Sequence, residues 1–211
     1  MHLSRRKILT VFISTCWVIS IAAGVHLLWR YEAYAGVAAE PPAFWPEQSR
    51  IAPSHGQSSL VLFAHPHCPC TRATMAELAE IMARCGDRVR TTVVILHPDG
   101  VDDGWEQSSI WPDAENTPGV AVIRDDGCIE SKRFGVATSG QALLYSPDGR
   151  LLFTGGITAG RGHVGDNFGR AAIMSLILHS PSPKLERIVA GSVYGCPLFP
   201  TASPDVEAGM P

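Results

Sequence analysis

Three features of the sequence predict an α/β domain, a central mixed sheet flanked by helices, preceded by one N-terminal transmembrane helix. Residues 8–29 form an apolar segment long enough to cross a bilayer. Residues 58–96 read as strand, helix, strand. Residues 141–179 read as an antiparallel hairpin followed by a helix.

The apolar segment, ILTVFISTCWVISIAAGVHLLW, carries only His26 and the thiol Cys16 as ionisable groups. At 1.5 Å per residue it extends about 33 Å, against a bilayer core of about 30 Å. Arg5, Arg6 and Lys7 precede it, so the positive-inside rule places residues 1–7 in the cytoplasm and everything after Trp29 outside. Trp29, Tyr31 and Tyr34 gather at the outer end as an interfacial belt. A cleaved signal is the alternative. Ala33-Tyr34-Ala35 is a small-residue cleavage pattern, and Ser4-Arg5-Arg6 has the form of a twin-arginine signal. The length of the segment favours an uncleaved anchor in the bacterial inner membrane. Both routes deliver the remaining chain to the periplasm, an oxidising compartment where disulfide chemistry operates. Cys16 lies within the membrane and has no assigned role. The net charge of −3 offers no electrostatic footprint for nucleic acid.

Residues 30–57 read as a proline-rich linker, with Pro41, Pro42, Pro46 and Pro53, from which Phe44 and Trp45 are placed to pack back on the domain. The domain is expected over residues 58–180 and a tail over 181–211. Leu60, Val61, Leu62 and Phe63 suit a buried strand. Met75, Leu78, Ala79 and Met82 recur at helical spacing, with Glu77, Glu80 and Arg84 between them, and Gly86 closes that helix. Residues 88–96 (RVRTTVVIL) are a β-branched strand, parallel to the first through a right-handed crossover. A short helix is expected over residues 103–110, a third strand over 119–124 and a helical turn over 129–134. Ser146-Pro147-Asp148-Gly149 marks the hairpin turn between strands 141–145 and 150–154. Asp166 is a suitable N-cap for a final helix that Pro181 and Pro183 stop.

The chemistry concentrates at His65-Pro66-His67-Cys68-Pro69-Cys70, between the first strand and its helix. Pro69 suits the first helical position, which places Cys68 at or near the N-cap. There the unpaired N–H groups and the positive end of the helix dipole favour thiolate, the nucleophilic form. Two buried structural cysteines and half of a zinc site are the competing readings; a second CxC or CxxC to complete a zinc site is missing from the sequence.

Strand, cysteine pair with proline, then long helix resembles the thioredoxin superfamily, with CxC in place of that family's CxxC. The order βαβ, strand, hairpin, helix is similar to the same fold. The resemblance implies thiol–disulfide exchange with client proteins and an unknown redox partner. In that family a cis-proline precedes the first hairpin strand and binds substrate backbone. Phe134-Gly135-Val136 before residue 141 echoes its setting, with Gly140 at the proline's position. Thr138, Ser139 and Gly140 are therefore the expected substrate-binding backbone. The family's buried acid is replaced by Leu62. HPHCPC together with TSGQALLYSPDGRLLFTGGITAGRGHVGDNFG resembles bacterial proteins called RedB, a thioredoxin-like group, over most of residues 59–179.

On this reading Cys68, as the outermost thiol, is the nucleophile and Cys70 resolves it. The small ring of a Cys68–Cys70 disulfide is strained, which favours an oxidant or isomerase over a reductant. His67 is a supporting residue through its imidazole, as is His163, with Arg161, in the glycine-rich loop after the hairpin; the alternative for each, and for His65, is a solvated loop residue. Cys128 and Cys196 are left to pair with each other or with Cys85 as a staple, or to stay as thiols. No cofactor is expected for exchange. The alternative function is a Cu(I)-binding chaperone for metalloprotein assembly, since two soft thiolates with adjacent imidazoles suit that ion. Peroxide reduction by a lone cysteine is a third reading.

Overall fold

The structure, a computed structural model, describes residues 5–37, 40–179 and 188–199. It divides into two units, an N-terminal helix and a domain that starts at Ala35.

The helix α1 (Arg5–Ala33) is long and apolar enough to cross a membrane. Its large apolar side chains, among them Phe12, Trp17 and Leu27, are exposed along its length. In water such a surface is unfavourable, and a bilayer supplies the cover it lacks.

The domain is built on one six-stranded sheet in the order β3-β2-β1-β4-β5-β6. At its centre β1 (Ser58–Ala64) pairs in parallel with β2 (Val89–His97), which pairs in parallel with β3 (Val120–Asp126). On its other side β1 pairs antiparallel with β4 (Gln141–Tyr145), which turns back into β5 (Leu151–Gly156). A two-residue strand β6 (Val189–Ala190) closes that edge in parallel. The mixed sheet predicted from the sequence is present.

Because successive residues of a strand face opposite ways, β1 feeds two cores. Leu60, Leu62 and Ala64 meet Met75, Leu78 and Ile81 of α2 (Thr71–Cys85) and Ile173 and Ile177 of α5 (Phe168–Leu178). Val61 and Phe63 meet Phe134, Leu143, Tyr145, Ile51 and Leu198. Two short helices, α3 (Ile110–Glu115) and α4 (Ile129–Arg133), complete the chain. Asp125, buried at the end of β3, accepts from the Glu130 and Ser131 amides at 2.8 and 2.9 Å and so holds the first turn of α4.

Several expectations are corrected. Residues 40–57 are not a linker: Trp45 stacks edge-on against Phe134 and Tyr145 at 5.2 and 5.1 Å. Its amide donates to Gly149 O at 2.7 Å, and Ser49 Oγ donates to the buried Glu130 carboxylate at 2.6 Å. The prolines that signal a linker here shape a cover over the second core. Residues 188–199 are not a tail either, since Val193 and Leu198 are buried in the domain. The short helix falls at Ile110–Glu115 rather than 103–110. Gly86 caps α2 in a right-handed conformation, and Asn167 rather than Asp166 caps α5, its side chain accepting from Arg170 N at 2.7 Å. The helix stops Pro181 and Pro183 lie outside the described residues.

Candidate active site

Two consecutive turns carry the cysteine pair from β1 to α2. Cys68 N donates to His65 O at 3.1 Å, and Thr71 N donates to Cys68 O at 3.1 Å. Pro66 and Pro69 each stand second in their turn, where a fixed φ near −65° fits. Helix α2 therefore starts at Thr71, with Cys70 at the N-cap. This corrects the placement of Cys68 at the cap and Pro69 in the first helical position: two prolines three residues apart favour two turns before the helix.

Cys68 is not the outermost thiol. It is 2% exposed and Cys70 7%. What covers Cys68 is the end of the domain, since Cys196 N donates to Cys68 Sγ at 3.4 Å. On the other side a cleft of about 240 Å³, lined by His67, Pro69, Arg72 and Ile110, reaches Cys68.

Burial alone would push the Cys68 thiol up. The Thr71 hydroxyl, the Cys196 amide and thiol and the Cys70 amide all hydrogen-bond its sulfur, and together they hold it below the ordinary thiol value. Cys70 moves the opposite way: burial and the neighbouring Cys68 charge push it up, against a hydrogen bond and the positive charge of Arg161. Cys196 is pushed up to about 12 by burial, by its hydrogen bond to Cys68 and by the charges of Cys68 and Cys70. The cluster thus favours one thiolate, at Cys68, with protons kept on the other two.

Ser139 ties the site together. Its Oγ accepts from His65 N at 2.9 Å and bonds Thr71 Oγ1 at 2.8 Å, while its amide donates to Cys196 O at 2.9 Å. Gly140 N donates to Phe63 O at 2.8 Å, so that amide belongs to the sheet and is not free for a client. Gly140 adopts φ +88°, a backbone conformation closed to proline, which accounts for glycine at this place.

The histidines pack on an aromatic ring. His65 and His67 stack edge-on against Trp105 at 5.1 and 4.8 Å. Burial, then the charge of His67, lowers the basicity of His65. The groups that stabilise the Cys68 thiolate are the hydroxyl, amides and thiol named above rather than imidazolium. His163 meets the backbone of its own loop, its Nδ1 2.9 Å from Arg161 O. Arg161 is closer in, with Nη1 donating to Gly195 O at 2.8 Å.

Cys196 is the residue that sequence reasoning missed. It pairs with neither Cys85 nor Cys128, which lie in the cores on opposite faces of the sheet. Its separation of 128 residues from Cys68 leaves no local pattern to find. Neither Thr71 nor Glu77 stands out in the sequence. Glu77, spaced among the polar positions of α2, is 0% exposed and holds Gly165 N and Arg170 from the loop and helix beyond Arg161.

No protein-family model and no curated protein matches this sequence. Among solved structures, an uncharacterised conserved protein from Geobacillus kaustophilus overlays with a TM-score of 0.56 at 15% identity, covering 81% of this chain and 96% of that one. A hypothetical protein from Sinorhizobium meliloti 1021 overlays with a TM-score of 0.56 at 14% identity, covering 79% and 96%. A secreted disulfide oxidoreductase of Mycobacterium tuberculosis, homologous to E. coli DsbE, overlays at 0.42 with 16% identity, covering 59% and 83%. At these identities the likeness is one of fold.

Proposed function

We propose that this chain, whose mixed sheet with β1 at its centre and flanking helices fits a thioredoxin-like fold, is a membrane-anchored periplasmic thiol–disulfide oxidoreductase or isomerase. Cys68 is the attacking sulfur and Cys70 the neighbouring thiol of the pair. The observation that carries the proposal is the Cys68 sulfur itself, set beside Cys70 in the turns between β1 and α2 with the Cys196 amide donating to it at 3.4 Å, and its pKa is held below the ordinary thiol value despite burial. The cleft at Pro69 and Ile110 is the approach for a client sulfur. The RedB-like motifs at the cysteine pair and in the hairpin support the same assignment.

The test is turnover of a scrambled disulfide substrate by the full chain in detergent. Cys68→Ser abolishes it; undiminished turnover in that variant overturns the proposal.

Cu(I) binding is the second reading, favoured by three converging sulfurs. The donor set fits an ion less well than it fits exchange. Arg161 places a positive charge beside Cys70. Among the described residues no group of three or more His, Cys, Asp or Glu side chains is arranged to hold a metal. Anaerobic Cu(I) titration decides: tight stoichiometric binding lost in Cys68→Ser supports the copper reading.

A further inference from the structure

Residues 195–198 lie antiparallel beside residues 137–139 as a strand added to the site. Ser139 N donates to Cys196 O and Leu198 N donates to Ala137 O, both at 2.9 Å, and Thr138 and Pro197 form a bridge. Arg161 clamps the segment through Gly195 O. The fit is close enough to require glycine, because a Cβ on Gly195 would overlap the Ser139 carbonyl. The same serine fixes the turn that carries Cys68, so one residue sets both halves of the contact.

We propose that Cys196 is the resolving thiol of Cys68, and that the oxidised protein carries a Cys68–Cys196 disulfide. This rests on Cys68 being the exchanging sulfur. Closing Cys68 on Cys70 has to redraw the turn that Thr71 N closes on Cys68 O, next to the first turn of α2 that Ala73 N closes on Cys70 O. Cys196 is already at hand, its amide donating to Cys68 Sγ at 3.4 Å on a segment that Ser139 and Arg161 hold in place.

The electron balance is that of two exchanges. The Cys68 thiolate attacks a client disulfide, forms a mixed disulfide, and expels one client thiolate, which takes a proton. Cys196 then gives its proton to water and attacks Cys68 Sγ. The Cys68–client bond breaks and the second client thiolate leaves. The client disulfide gains two electrons and the Cys68/Cys196 dithiol loses them; run backwards, the pair oxidises a client dithiol. The order is built in. While Cys68 is a thiolate its charge and hydrogen bond hold the proton on Cys196. Once Cys68 is bound to a client, its charge and hydrogen bond no longer hold that proton, and the Arg161 charge favours the Cys196 thiolate against the burial and the Cys70 charge that remain.

Disulfide mapping tests this. The full chain in detergent is oxidised with glutathione disulfide, blocked with iodoacetamide and cut with trypsin without reduction. The expected result is peptide 51–72 linked to peptide 188–211, in the native chain and in Cys70→Ser, with the link lost in Cys68→Ser and Cys196→Ser. Peptide 51–72 lighter by two hydrogens and unlinked means Cys68–Cys70 closure; it overturns the inference and leaves the exchange function standing. A link that survives Cys68→Ser but not Cys70→Ser overturns it as well. Oxidation that leaves Cys68 as a free thiol overturns both the inference and the exchange function. The native-chain map needs no variant to fold.

Discussion

Arg170 Nη1 lies 2.6 Å from Glu77 Oε2, a cation of α5 set on a carboxylate of α2 that solvent does not reach. The same carboxylate accepts from Gly165 N at 2.6 Å and Asn167 Nδ2 at 3.1 Å. One buried acid therefore joins two helices and pins the loop that brings Arg161 to the thiols.

Removing one partner of a buried pair costs about 3–5 kcal/mol, because the other charge is left unpaired. Arg170 keeps some contact with water, so Arg170→Met is expected to destabilise by about 3 kcal/mol, lowering Tm by roughly 6–12 °C. Thermal melts of the two chains check this. A shift within a degree or two of the native value contradicts the role assigned to Glu77.

Thr71 Oγ1 is one of the groups that lower the Cys68 thiol, and it is shared with Ser139 Oγ. Thr71→Val deletes that bond, worth about 1.5 kcal/mol to a charged acceptor, so the Cys68 pKa is expected to rise. The iodoacetamide rate at Cys68 follows its thiolate, so the rate–pH curve moves to higher pH in the variant. An unmoved curve removes Thr71 from the account.

Burial pushes up Cys70, Cys85, Cys128 and Cys196, so the fold holds their protons after the unfolded chain has released its own near pH 8.5. Above that pH the unfolded state binds fewer protons, and stability falls as pH rises. Cys68 works the other way: its contribution is fully present above pH 8.5 and is lost as pH falls through its lowered folded value. Under reducing conditions the unfolding free energy from denaturant titration is expected to drop between pH 8.5 and 10.5, by up to about 1.4 kcal/mol per pH unit for each thiol. A flat profile over that interval contradicts the burial of these groups.

Gly140 combines φ +88° with an amide committed to Phe63 O. Gly140→Ala strains the backbone and brings a Cβ to 3.0 Å from Thr74 Oγ1, a cost of about 1–2 kcal/mol. Gly140→Pro loses the hydrogen bond as well and forbids the dihedral, so it is expected to be the more damaging by 2 kcal/mol or more. Urea titration of both variants gives the order, and equal midpoints contradict it.

Much of this molecule was legible before folding. The apolar run of β1, the helical spacing of Met75, Leu78 and Met82, the Ser146–Gly149 turn and the 8–29 span are local patterns, and each fell close to its observed place. Cys68 and Cys70 were marked by a short motif between a strand and a helix. Misplacements came where two local rules competed, as at Pro69, which suits a turn and a helix start equally well.

The sequence by itself determined the class of the domain, the long apolar N-terminal helix and the sulfur-bearing junction, because periodicity and turn chemistry act between neighbours in the chain. Only the tertiary structure decided what surrounds that sulfur. Ser139, Arg161 and Cys196 reach Cys68 from far along the chain, and Glu77 turns from a surface charge into a buried anchor. These placements are set by which elements the sheet order brings together, and nothing in residues 188–199 alone announces that their cysteine comes to rest on another.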